Sequence, residues 1–439
     1  GVLQYAPDAT YGRPEDLKRL IDAAHARGIM VMLDVVYNHF GPDGNYLHIY
    51  AKPFFSEHRH TPWGAAIDFD GPSSRIVRDF FVHNALFWLT EYHLDGLRLD
   101  AVHAIVDASQ PHIVDEIARA VRGGPGQERH VHLIVENDHN DARDLARDAR
   151  GVPRVASAQW NDDVHHAAHV LATGERHGYY ADYADRPLWW FGRALADGFA
   201  YQGEPSQYRA GAPRGELSRH LPPLAFVDFL QNHDQVGNRP FGERIAQIAD
   251  LAALRALVAC VLLAPAVPML FMGEEFAASA PFMFFCDFRG ALAQAVSSGR
   301  RAGYAHFGEP APHERFPEPN DEATFARCQL DWDQRERAAH APWLALYTHL
   351  LRLRCVRLVP HLGEMRRGEF DVLAPGRLTV HWPIGPRAQH GCLHLLANLG
   401  AVAMERGRVP PGEVLYDSHP SDVALAPWSV RVSLELRDA

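Results

Sequence analysis

The 439-residue chain is poor in cysteine, in lysine and in long apolar runs. Its five cysteines, Cys260, Cys286, Cys328, Cys355 and Cys392, are odd in number and scattered, with no CxxC pair. That pattern fits neither a disulfide framework nor a zinc site, and suits a reducing compartment. Lysine occurs only at Lys18 and Lys52, beside abundant Ala and Arg, as in GC-rich bacterial genomes. Basic residues are outnumbered 54 to 43, a net charge of −11. Such a balance argues against nucleic acid or an anionic membrane as the main partner. The longest apolar candidate, Leu251 to Met272, is broken by Arg255, Pro265 and Pro268. It reads as a buried helix, a turn and a strand, not as a membrane span. No secretory leader is read, and the expected location is the cytoplasm.

What is present is core-forming material. Hydrophobic residues make up 47% of the chain, enough for a large core and more than one domain. Pro14 to Arg27 carries Leu17, Leu20, Ile21 and Ala24 at helical spacing and ends at Gly28. Ile29 to Val36 is apolar on both faces, as a buried parallel strand is. The unit recurs. Helices are predicted at Ser74–Tyr92, Ile113–Val121 and Ile245–Leu262. Strands are predicted at Gly96–Asp100, His132–Glu136, Val155–Trp160, Phe226–Gln231 and Val267–Met272. Alternating helices and short apolar strands predict an α/β fold, a (β/α)₈ barrel with its polar residues gathered past the strands' C-terminal ends. Six strands are counted, so the first two barrel strands are expected to precede Gly1. From about His361 the texture changes to short β-prone runs among Gly and Pro. The expected domains are the catalytic barrel over 1–357 and an antiparallel C-terminal β-sandwich domain over 358–439.

Asp34, Asp100, Glu136 and Asp234 each fall at the end of a predicted barrel strand. One such acid is usually a turn former or helix cap. Four at corresponding positions are brought to one mouth by a barrel. Glycoside hydrolysis needs such acids: one carboxylate attacks the anomeric carbon, and a second protonates the leaving oxygen. In the retaining mechanism the two lie about 5–5.5 Å apart. Arg98 and Asp100 are two residues apart on one strand and so share a face. A cation beside a nucleophilic carboxylate favours its charged form. Spacing alone does not separate nucleophile from acid.

Four segments resemble the sequence regions of the α-amylase family, in the right order. They are Asp34-Val35-Val36-Tyr37-Asn38-His39, Gly96 through His103 (GLRLDAVH), Glu136-Asn137-Asp138, and Phe229 through Asp234 (FLQNHD). The resemblance implies Asp100 as nucleophile, Glu136 as acid/base and Asp234 as transition-state stabiliser. It places Arg98, His39 and His233 around the −1 sugar and makes Asp34 a structural brace. Further substrate contacts are expected from Asn38, His103, Asp138, Trp160, Asn161, Asp162, Gln235 and Glu274. Segments such as QWNDDVHHAAHVLATGE, LQNHDQVGNR and PFMFFCDF look like the branch of the family that cleaves the α-1,4 bond beside the trehalose unit of maltooligosyl trehalose. Rival readings are a branching or debranching enzyme of the same family, and a non-catalytic glucan-binding fragment.

Other features have blander readings. His165 and His169 are four apart on a predicted helix but lack an HExxH context, and Asp162-Asp163 suit its N-terminus. His58 and His60 are expected in a solvated loop. Asp43 and Asn45 are thin support for calcium. No metal and no cofactor is expected. Tyr46, Trp63, Trp160, Phe282, Phe284, Phe285 and Phe288 are candidates for sugar stacking. Glu274 is expected either to contact substrate or to pair with an arginine, and Cys286 to pack near the cleft.

Overall fold

The structure is a computed structural model that describes residues 3–41, 43–61, 64–304, 315–373, 376–421 and 423–437. Trp63 lies outside the described residues. The chain forms two compact units, Gly1–Trp160 and Asn161–Ala439.

In the first unit, α1 (Pro14–His25) leads to β1 (Met32–Val35). Pro14 starts α1, where a missing N–H costs nothing. A hairpin follows, β2 (Phe55–Thr61) and β3 (Gly64–Ile67), then α2 (Ser74–Glu91) and β4 (Gly96–Leu99). The chain continues through α3 (Ile113–Gly123), β5 (His132–Val135) and β6 (Ala158–Asn161). Strands β1, β4, β5 and β6 lie side by side and parallel, with Asp34 opposite Arg98 and Arg98 opposite Ile134. All four residues of β4 are buried, which explains the continuous apolar reading around Arg98. Gly96 is obligatory there: a Cβ would stand 2.4 Å from the His132 carbonyl oxygen. Behind the sheet, Phe40, Phe69 and Phe80 ring Phe81 at 5.2–5.9 Å, and the buried Tyr37 hydroxyl donates to Asn84 at 2.7 Å. His58 and His60 lie in β2 rather than in a loop, because Phe55–Thr61 folds back on Gly64–Ile67.

The second unit opens with α4 (Asp162–Thr173) and α5 (Pro187–Asp197), then β7 (Phe226–Asp228) and α6 (His233–Gly237). Next come α7 (Ile245–Ile248), α8 (Leu251–Leu263) and β8 (Val267–Pro268), parallel to β7. The helix expected over Ile245–Leu262 is therefore two. Asp250 divides it, its carboxylate accepting from the N–H groups of Ala252 and Ala253 as an N-cap. Parallel strands alternating with helices, six such strands among the described residues, are of the (β/α)₈ class.

After α9 (Ala341–Leu353) a five-stranded antiparallel sheet forms. It comprises β9 (Glu369–Leu373), β10 (Arg377–Ile384), β11 (Gly391–Asn398), β12 (Glu413–Asp417) and β13 (Ser429–Leu436). Helix α5 lies directly on it. A Cβ on Gly192 would stand 2.7 Å from Leu378 Cδ1, and the fully buried Trp382 indole donates to the Leu195 carbonyl at 3.2 Å. One hydrophobic cluster runs from α4, α5 and α8 into β10, β11 and β13. Among the described residues, no helix is long and apolar enough to cross a membrane.

Candidate active site

The first unit gathers its acids around one cation. Arg98, on β4, is 5% exposed. Its Nη1 donates to Asp34 at 2.8 Å and to Asp100 at 2.7 Å, and its Nη2 to Glu136 at 2.6 Å. Asp34 sits on β1, Asp100 just past β4 and Glu136 just past β5, so parallel register converts sequence spacing into proximity. Burial opposes the charge on Arg98, yet Glu136, Asp34 and Asp100 together outweigh it and hold its pKa above the usual value. The Trp160 ring covers the guanidinium, its centroid 4.1 Å from Cζ.

Smaller contacts fix the acids. The Asn38 amide donates to the Asp100 carbonyl at 3.0 Å and to its carboxylate at 3.1 Å. The Ala101 N–H donates to Glu136 Oε2 at 2.9 Å. Ala101 is left-handed, φ 40° and ψ 53°, a conformation that costs a non-glycine residue energy and aims this N–H at the acid. His39 is bonded to the Asn38 side chain, and burial lowers its pKa. His103 Nδ1 lies 3.4 Å from the Asp138 N–H, and His103 Nε2 lies 3.5 Å from the Asp138 carboxylate.

The second unit carries the other expected residues. His233 and Asp234 open α6, both roughly two-fifths exposed, 3.7 Å apart. Asn232 caps the helix, accepting from the Asp234 N–H at 2.8 Å, while its own N–H donates to Gln235 at 3.1 Å. The Gln235 amide donates to Asp162 at 3.4 Å. Two expected sugar contacts turn inward. Asn161 is fully buried, its amide donating to Asp228 and to the Gly198 carbonyl, each at 2.9 Å. Glu274 is 6% exposed and accepts from Tyr347 at 2.8 Å, from the Phe271 N–H at 3.2 Å and from Gln231 at 3.3 Å. Burial raises both Asp228 and Glu274 to about 7. Cys286 donates to Asn320 at 3.3 Å.

Residues missed from sequence line a cavity of about 410 Å³ beside α6. Tyr179, Tyr180, Tyr208 and Tyr304 form its aromatic walls, with Asn238 and Arg300 as polar groups. The available signal was the aromatic density of GYYADY after α4. Farther along, Arg300 stacks on Phe284 at 4.4 Å. His165 and His169 lie within α4, and His169 bonds Glu175 at 2.7 Å. Among the described residues, no group of three or more His, Cys, Asp or Glu side chains is arranged to hold a metal ion.

Comparison with known proteins fits this picture. The model of the alpha amylase catalytic domain matches residues 5–60, and that of a domain of unknown function, DUF3459, matches residues 365–432. A solved structure from Salmonella typhimurium, named for alpha amylase, superposes with a TM-score of 0.93 at 44% identity, covering 99% of this chain and 73% of that one. The class is thus that of the α-amylase-type glycoside hydrolases. A malto-oligosyltrehalose trehalohydrolase of Arthrobacter ramosus is 44% identical over 408 residues, 90% of this chain and 69% of the relative. Another, from Saccharolobus solfataricus, is 38% identical over 355 residues, 81% of this chain and 59% of the relative. The chain belongs to the malto-oligosyltrehalose trehalohydrolase family. It spans between 57% and 72% of the length of the curated relatives of that name.

Proposed function

We propose that the chain carries a retaining hydrolysis of the α-1,4-glucosidic bond next to the trehalose unit of maltooligosyl trehalose, with release of trehalose. The observation that carries this is the single guanidinium of Arg98 holding Asp100 on one nitrogen and Glu136 on the other. Two short hydrogen bonds across one planar group suit the close carboxyl pair, about 5–5.5 Å apart, of retaining enzymes. Asp100 attacks the anomeric carbon as the glucosidic C–O bond breaks, and Glu136 gives its proton to the departing trehalose oxygen. The glucosyl chain is then esterified to Asp100. Glu136, now a carboxylate, takes a proton from water, whose oxygen displaces Asp100 and frees the shortened glucan. Asp234 stabilises the oxocarbenium-like transition state through the sugar hydroxyls.

Asn38, His39, His103, Asp138, Trp160, Asp162, His233 and Gln235 are the substrate contacts of this proposal. The tyrosine-lined cavity beside α6 suits the stacking of a pyranose face. Trehalose as the released product rests on the names of the relatives. The residues divide functionally into a catalytic part, 1–357, and a C-terminal β domain, 358–439, in a cytoplasmic protein.

A second reading has one observation in its favour. A 1,4-alpha-glucan branching enzyme of Corynebacterium efficiens is 36% identical over 171 residues, 36% of this chain. Incubation with maltooligosyl trehalose and, separately, with plain maltooligosaccharide separates the two. Trehalose from the first substrate, little cleavage of the second and silence of Asp100→Asn support the proposal. New α-1,6 branches, or equal hydrolysis of both substrates, overturn it.

A further inference from the structure

Asp234 is exposed, yet the chain that carries it is anchored in the core two elements deep. Residues 229–232 join β7 to α6 and are neither strand nor helix. Their position therefore depends on side chains from elsewhere in the second unit.

One anchor is His165, on α4 and 1% exposed. Its Nδ1 stands 2.6 Å from the Leu230 carbonyl oxygen. A carbonyl only accepts, so the ring's proton is on Nδ1. Burial lowers the imidazole pKa to about 3, which keeps the ring neutral. Nε2 then accepts from the Tyr180 hydroxyl at 3.0 Å. The other anchor takes the next residue. Gln231 is 2% exposed; its Oε1 accepts from the Ile245 N–H at 3.0 Å, and its Nε2 donates to Glu274 at 3.3 Å. Glu274 is held in turn by the Tyr347 hydroxyl and the Phe271 N–H. Beyond Gln231 the reciprocal cap of Asn232 and Gln235 carries the rigidity into Asp234.

We infer that His165 and Glu274 are positioning residues for Asp234, gripping the turn at consecutive residues, Leu230 and Gln231, from two separate elements. Neither reaches the exposed face where Asp234 opens. The inference rests on the proposed role of Asp234 as transition-state stabiliser. Each anchor is a closed set of hydrogen bonds, so the turn cannot shift without leaving a buried polar group unpaired.

The test combines kinetics on maltooligosyl trehalose with amide hydrogen exchange. Glu274→Leu removes the acceptor; Glu274→Gln keeps it, with the amide oxygen facing Gln231 and Phe271 and the amide nitrogen donating to the Tyr347 oxygen. Glu274→Leu is expected to lower kcat by about 10- to 100-fold with KM changed less than about threefold. Glu274→Gln is expected within about threefold of the parent. In an Asp234→Ala background, Glu274→Leu is expected to cost less than about a further twofold, since its effect passes through the missing carboxylate. Exchange at residues 230–237 is expected to quicken by about tenfold in Glu274→Leu and in His165→Phe, with the sheet of residues 369–436 unchanged. Unaltered exchange at 230–237, or losses that simply multiply in the double variant, would overturn the inference. If Asp234→Ala itself left the rate intact, the proposed role of Asp234 would fall, and the exchange result would still decide the anchor.

Discussion

Ala101 and Glu136 are joined by a hydrogen bond from the Ala101 N–H to Glu136 Oε2, the same oxygen that Arg98 Nη2 holds at 2.6 Å. A left-handed residue directly after the expected nucleophile thus orients the expected acid. Gly at this position relieves the backbone cost but loosens the turn. Ala101→Gly is expected to change unfolding stability by less than about 1 kcal/mol while lowering kcat by about threefold or more. Urea unfolding paired with steady-state kinetics reads both; an unchanged kcat would remove the role given to this N–H.

Arg98 is the centre of charge. Lysine at this position keeps the charge but offers a single point donor where three carboxylates need a fork. Arg98→Lys is expected to reduce kcat/KM by about 10²- to 10³-fold without loss of the folded state. Near-normal kinetics for Arg98→Lys, with an intact circular dichroism spectrum, would refute the bridging role.

Asp228 lends stability a pH dependence. Burial raises its carboxyl to about 7, against which Asn161 and Arg354 act only in part. The folded chain therefore keeps a proton that the unfolded chain releases near pH 4. Stability from this group is complete below about pH 4 and is lost progressively up to about pH 7. Asp228→Asn should flatten that decline and gain roughly 2–4 kcal/mol relative to the parent at pH 8. Denaturant midpoints across pH 4–8 check it; parallel curves for the two proteins would rule it out.

Gly96 tolerates no side chain. With a Cβ 2.4 Å from a backbone oxygen of the neighbouring strand, Gly96→Ala must part β4 from β5. A loss of about 2–3 kcal/mol is expected. Because β4 and β5 lead to Asp100 and Glu136, activity should fall further than the folded fraction alone accounts for. Activity per folded molecule, measured well below the melting temperature, tests this.

The tyrosine cavity should act on binding more than on chemistry. Tyr208→Ala is expected to raise KM about 10-fold with kcat within about threefold, if the cavity holds part of the substrate. A fall in kcat alone would place its role elsewhere.

Much of this was legible in the sequence for simple reasons. A strand buried on both faces reads as a continuous apolar run, so β4 stood out, and the charges ending β4 and β5 pointed to the candidate site. Arg98 and Asp100 share a face because the strand period is two, which needs no tertiary information. What stayed hidden depended on distant partners. Asn161 ends β6, as Asp100 follows β4, and Glu274 opens a 3-10 helix past β8; only the packing of Asp228 and Tyr347 against them reveals that they point inward. The break at Asp250 was masked by apolar residues on both sides, although an Asp before an Ala-rich run is itself a cap signal. Tyr179, in a 3-10 helix, and Tyr208, in a turn, lie 29 residues apart, and no period links them.

One guanidinium shared by three acids also limits how the protein can be remodelled. Replacing Asp100, the proposed nucleophile, as in the making of a synthase from a hydrolase, would do more than delete a reactive oxygen. It would redistribute the pull of the cation onto the two acids that remain, and so retune Glu136, the proposed proton donor, in the same stroke. Successful redesign would have to treat Asp34, Arg98, Asp100 and Glu136 as one adjustable unit, and natural drift at any one of them would be expected to drag the others along.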